Sequence, residues 1–99
     1  MVKNGMRPVH PGEILREDFL VPLGQSANAL AQALNVPAPR INDIVRERRG
    51  ISADTAMRLA RYFSSDARSW LNLQAAYDLR VAEIENAKRV EREIAPAGT

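Results

Sequence analysis

Apolar residues fall at helical spacing in five stretches of this 99-residue chain, and no stretch shows the strict alternation of a strand. Ile14, Leu15 and Phe19 mark helix 1, over about 11–21, with Pro22 and Gly24 to end it. Leu30, Ala31 and Leu34 share one face of helix 2, about 27–34, for which Ser26 is the N-cap. Ile41, Ile44 and Val45 face inward from helix 3, about 39–46. Gly50 suits the turn that follows. Ser52 caps helix 4, with Asp54 in the first turn, where the helix dipole favours an anion. Ala56, Leu59, Ala60 and Phe63 supply its buried side. Asp66 caps helix 5, the longest, whose stripe is Trp70, Leu73, Ala76 and Tyr77. Beyond Leu79 the pattern thins to Val81, Ala82 and Ile84, then charges dominate, and Ala95 to Thr99 reads as a tail. The fold class is all-α, without internal repeats. The organisation is a flexible N-terminus at 1–9, one folded unit at 10–80, and a C-terminal helix end and tail at 81–99.

The join between helices 2 and 3 organises the rest. Pro37 and Pro39 argue against one continuous helix, whereas Pro39 is tolerated at the opening of helix 3. Asn35 occupies the turn, where a left-handed backbone is needed and Asn is tolerated. Ala31 is small where the two helices approach. Helix, tight turn, helix is the arrangement that lays its second helix in the DNA major groove.

On that arrangement the groove-facing candidates are Arg40, Asn42, Asp43 and Arg46, with Pro39 at the start of helix 3. Arginine pairs bidentately with guanine and asparagine with adenine, while aspartate accepts from cytosine or orients an arginine. Arg48 and Arg49 follow in a loop suited to phosphates. Ser26 and Asn28 bring donors to a phosphate from the start of helix 2, or serve in capping alone. All of these also fit an ordinary solvated helix face. Arg58 and Arg61 are phosphate contacts or intramolecular partners of Asp54 and Asp66, with a structural role favoured for at least one. Trp70 and Tyr77 read first as core and second as a protein-contact stripe.

Charge sharpens the picture only by its distribution. The net charge is +2, but residues 40–68 carry seven arginines against four acids, while residues 1–39 are neutral and residues 69–99 carry a net −1. Arginine is the side chain best matched to phosphate and guanine. There is no cysteine and only one histidine, His10, so disulfides and zinc–thiolate sites are excluded and no metal site or cofactor is expected. His10 reads as a locally hydrogen-bonded residue at the start of helix 1. No apolar run reaches the ~20 residues that span a bilayer, and Met1 to His10 shows no signal-peptide core, so a cytoplasmic protein is expected. Glu13 and Glu17 share a helix face, but no phosphate loop, nucleophile–base pair or metal cluster accompanies them, and an enzyme is not expected.

These residues resemble the HigA-type antitoxins of the Xre/Cro-like helix-turn-helix superfamily. The resemblance covers about residues 6–85. It rests on His10-Pro-Gly-Glu-Ile-Leu15, Leu30-Ala31, Arg40-Ile-Asn-Asp-Ile-Val45, Arg48-Arg49-Gly50-Ile51-Ser52, Ala56 with Arg58-Leu59-Ala60, and above all Trp70-Leu-Asn-Leu-Gln-Ala-Ala-Tyr77. One departure is Pro37-Ala38-Pro39, where the wider superfamily commonly has a polar cap. The resemblance implies a five-helix Cro/repressor-like domain with an extended C-terminal helix. It further implies a homodimer that binds double-stranded DNA at its own operator and neutralises a RelE-like mRNA-cleaving toxin. Helix 5 with Val81 and Ile84 is the candidate for dimer pairing. The acidic surfaces at Glu13, Glu17 and Asp18, and at Glu83, Glu85, Glu91 and Glu93, are candidates for a basic toxin. Two alternatives stay open: a solitary Cro-like regulator without a toxin, and a protein-interaction module using the Trp70–Tyr77 stripe.

Overall fold

The computed structural model describes residues 7–98, so Met1 to Met6 of the expected flexible start, and Thr99, lie outside it. The described residues form five helices and no strand. The first, α1, is continuous through three pieces: Pro11–Ile14, a wide π-type stretch Leu15–Leu20, and Val21–Leu23. Then come α2 (Ala27–Leu34), α3 (Ala38–Val45), α4 (Ala53–Phe63) and α5 (Ala67–Glu93). Two boundaries differ from expectation. Pro22 does not end α1 but lies in its last turn. The widened turn before it gives room where an α-helical carbonyl four residues back would meet the proline ring. α3 opens one residue earlier than expected, with Pro37 as its N-cap and Pro39 inside the first turn.

The helix starts are set by local chemistry. Ser26 Oγ accepts from Ala29 N (3.0 Å), Ser52 Oγ from Thr55 N (3.3 Å), and the Asp66 carboxylate from Ser69 N (3.2 Å). His10 caps α1, its Nδ1 accepting from Gly12 N (2.9 Å). The helix ends share one device. Gly24, Asn35, Glu47 and Ser64 have φ between 51° and 62°. The residue after each sends its N–H back five positions, Gln25 to Leu20, Val36 to Ala31, Arg48 to Asp43 and Ser65 to Ala60. Gly50 is not the left-handed residue after α3; Glu47 is. A Cβ on Gly50 would stand 3.0 Å from the end of the Gln74 side chain, a tight contact that Gln74 would have to shift to relieve.

Leu15, Leu20, Leu30, Ala31, Leu34, Ile41, Ile44, Ile51, Ala56, Leu59 and Trp70 form one buried core. Phe19 joins it to α4 and α5, with ring centroids 4.7 Å from Phe63 and 5.3 Å from Trp70. Trp70 Nε1 donates to Ser65 Oγ (3.2 Å), so the indole is core and not a contact stripe. Ala76, expected on the same stripe, is exposed, and Tyr77 is half-buried edge-on to His10 at 4.8 Å. From Leu79 onward α5 leaves the globule. Its 27 residues span about 40 Å at 1.5 Å each, most of the molecule's 54 Å length. It runs unbroken through residues 80 and 81. Leu79, Ile84, Val90 and Ile94 are exposed along it.

α1 meets α3 at Gly12. A Cβ on Gly12 would stand 1.8 Å from the Ile44 carbonyl oxygen, so only glycine lets the two backbones touch. Gly12→Ala is expected to cost about 1–3 kcal/mol by forcing α1 off α3, read as a lowered urea midpoint at unchanged helical content.

His10 is 3% exposed. Burial lowers its pKa below the ordinary value, against the smaller opposing pull of Glu47 and Asp78. The unfolded chain therefore takes up this proton first. The stability contributed by neutral His10 is present above about pH 6.5 and is lost as pH falls through the lower folded-state value. Between about pH 7.5 and 5.5 the urea midpoint should fall. In His10→Asn, which caps without titrating, that slope should flatten.

Candidate nucleic-acid interface

α2 and α3 are two short helices packed across a fixed turn. Ala31 lies between them at 1% exposure, and Asn35, at φ 57° and ψ 48°, closes α2 in the left-handed conformation. Ile41 and Ile44 are fully buried on the inner face of α3, and Val45 packs beside them half-buried. Pro39, Asn42, Asp43 and Arg46 then fall at i, i+3, i+4 and i+7, one stripe on the opposite side. Arg40 lies off this stripe, on the flank that faces α4.

The stripe is held from both sides. Toward α2, Asn42 Nδ2 donates to Asn28 Oδ1 (2.7 Å) and to the Ala38 carbonyl (3.0 Å). The Nδ2 donors of Asn28 have no partner among the described residues. Ser26, two residues earlier, accepts through Oγ as the cap of α2, which leaves its O–H to donate. Toward α4, Arg40 Nη1 donates to Asp54 Oδ2 (2.8 Å), and Arg58 Nε donates to the same oxygen (2.9 Å). Arg58, and after it Arg40, hold the Asp54 carboxyl below its usual pKa. Arg58 Nη1 also donates to the Leu34 carbonyl at the end of α2 (2.9 Å). The structural role expected for at least one of Arg58 and Arg61 thus falls to Arg58. Arg61 is exposed, with no ion pair among the described residues.

The C-terminal end of α3 is the cationic end. Asp43 and Arg49 approach to 3.8 Å, while Arg46 and Arg48 are exposed and make no ion pair among the described residues. Arg16 of α1 reaches across to this end. It donates to the Val45 carbonyl, pairs with Glu17 (2.8 Å), and reaches Glu47 (3.4 Å). A cation there complements the helix dipole. The structure therefore gathers Asn28, Pro39, Asn42, Asp43 and Arg46 on one face, with Ser26 at one border and Arg48 and Arg49 at another. Arg40 is turned to the side.

Sequence reasoning missed the residues behind this face. Arg16 lies 29 positions from the carbonyl it holds. Gln74 accepts from Ile51 N (2.7 Å) and so ties the Arg48–Arg49 loop to α5. Neither pairing leaves a local spacing signal. The His10-Pro-Gly run was the one visible hint that α1 carries more than core residues. Among the described residues no three His, Cys, Asp or Glu side chains gather as a metal site. No described helix is long and apolar enough to cross a membrane.

No family model matches the chain. Virulence-associated protein I of Dichelobacter nodosus is 67% identical over 81 residues, covering 82% of this chain and 75% of that protein. Antitoxin HigA-1 of Vibrio cholerae is 36% identical over 80 residues, covering 80% of this chain and 74% of that protein. Among solved structures, the Pseudomonas aeruginosa antitoxin HigA with the higBA promoter superposes at a TM-score of 0.89 with 57% identity, covering 92% of this chain and 99% of that one.

Proposed function

The chain belongs to the HigA-type antitoxins of the Xre/Cro-like helix-turn-helix superfamily, and we propose that it binds operator DNA through α3 to repress its own operon. It is a DNA-binding regulator and not an enzyme. The observation that carries the operator reading is the fixed outward stripe of α3, with Asn42 already braced by Asn28. Pro39, Asn42, Asp43 and Arg46 read base edges. Ser26, Asn28, Arg48 and Arg49 take phosphates, and Arg40 works from the flank. Residues 10–80 form the binding unit.

One short recognition helix reads only a few base pairs, so the working form is a homodimer with half-sites about one DNA turn apart. The exposed Ile84 and Val90 of α5, with Leu79 at the edge of the binding unit and Ile94 just past the helix, are the surface for pairing. The same chain neutralises a RelE-like toxin, docked away from α3. Among the acidic candidates, Glu13 is taken by Arg7 and Glu17 by Arg16, while Glu83 lies beside Arg80 and Glu93 beside Arg89. Asp18, Glu85 and Glu91 have no such partner among the described residues and are the acids left to meet a basic protein. A solitary regulator without a toxin is the second reading.

Retardation of the chain's own promoter fragment tests the operator reading. Affinity should fall by orders of magnitude from low to physiological salt, because a dimer neutralises several phosphates. Asn42→Ala removes the Oδ1 acceptor left free by the bonds to Asn28 and Ala38, and should cost about 1 kcal/mol of binding and relax preference at one base pair. Arg48→Ala and Arg49→Ala should weaken all sequences alike. A promoter fragment bound with no salt dependence would remove this assignment of roles.

Co-purification with the product of the neighbouring gene tests the antitoxin reading. Charge reversal at Glu85 and Glu91 should weaken that complex and spare operator binding. Wild-type chain that neither co-purifies with the neighbour nor relieves growth arrest leaves the solitary regulator. Sedimentation of Leu79→Glu with Ile84→Glu should give monomers; a persistent dimer would move the interface elsewhere.

A further inference from the structure

Three helices of the binding unit meet at one carboxylate. Asp54 Oδ2 accepts from Arg40 on α3 and from Arg58 on its own helix, and Arg58 reaches on to the Leu34 carbonyl that ends α2. Asp54 is not the cap of α4, because Ser52 is. Nor is it a core group: its side chain is 56% exposed, and exposed ion pairs contribute little to stability. What the carboxylate fixes is direction. Guanidinium is a planar fork of five donors, and a nitrogen engaged on Asp54 restricts where the rest of the plane can point. With Nη1 on Asp54, Arg40 is held on the flank of α3, and its Nη2 has no partner among the described residues. Its side chain is 33% exposed, so the guanidinium is presented and not buried.

Resting on the operator reading, we propose that Asp54 is a specificity-determining positioning residue. It holds Arg40 in one orientation at the edge of the reading face, so that Arg40 contributes to base preference and not to general phosphate attraction. Arg58 is the second anchor: it keeps Asp54 in place by sharing the same oxygen. Without the carboxylate the long Arg40 side chain is free to neutralise whichever phosphate passes. Non-specific affinity then rises as discrimination falls.

The experiment uses the full chain. Wild type, Asp54→Asn, Arg40→Ala, Arg40→Lys and the Asp54→Asn/Arg40→Ala double variant are titrated against the promoter fragment, a set of operators each changed at one base pair, and unrelated DNA. Circular dichroism confirms that each variant is folded. Arg40→Ala should flatten discrimination at one base pair by about tenfold or more. Asp54→Asn should flatten the same base pair, and the double variant should lose nothing further there. Asp54→Asn should also bind unrelated DNA more tightly, with a salt slope steeper by about one. Arg40→Lys keeps the charge but not the fork, and should lose the same preference without steepening the slope. A merely stabilising carboxylate would shift all operators equally. Base preferences unchanged in Asp54→Asn, or flattened at positions other than those of Arg40→Ala, overturn the inference while operator binding stands. Wild-type chain that retards no promoter fragment overturns both.

Discussion

The backbone contact between Gly12 and Ile44 fixes where the outward face of α3 points. A helix of eight residues has no stable direction of its own, because so short a helix is marginal in water and takes its stability from packing. α3 is held at three places: by the core through Ile41 and Ile44, by the α2 turn, and at its C-terminal end by α1. The last is the most demanding sterically, since no side chain at residue 12 fits. His10 is part of the same arrangement. By capping α1 it sets the path on which Pro11 and Gly12 reach α3, and its ring is in turn covered by Tyr77 of α5. The first and last helices thus brace α3 without contributing to its outward stripe.

Polar contacts then divide the surface into fixed and free groups. Asn42 and Asn28 brace each other, Arg40 and Arg58 share Asp54, and Arg16 sits on the end of α3. Each tie uses part of a side chain's hydrogen-bonding capacity and leaves the rest presented in a defined direction. Specific recognition needs this, because a donor that must first be ordered loses the entropy of ordering when it binds. Arg48 and Arg61 are exposed and make no ion pair among the described residues. They carry charge without direction, as suits phosphate contacts better than base reading.

What could be read from the sequence was what depends on near neighbours. The caps at Ser26, Ser52 and Asp66, the left-handed Asn35 and the five helices follow from chemistry within about one turn, and they appear where expected. Residue type and spacing make Arg40 a groove-facing candidate. That it turns to Asp54, 14 residues on, depends on how α4 packs against α3, which periodicity does not encode. Glu47 is a poor residue for a left-handed turn and gave no stop signal; it is held there by the closing bond from Arg48 to Asp43 and by Arg16. Pro22 misled in the other direction, because the usual reading of proline assumes a regular α-helix before it.

The modest net charge also takes on a meaning from the contacts. Seven arginines fall between residues 40 and 68, yet Arg40 and Arg58 are committed to Asp54 and Arg49 lies near Asp43. The acids in this segment therefore do not merely dilute a basic patch. They lower its attraction for DNA of any sequence and orient the cations they hold. Non-specific affinity grows with the number of phosphates neutralised, whereas discrimination grows with the number of donors held in register with base edges. A surface that spends acids on its own arginines moves the balance from the first toward the second.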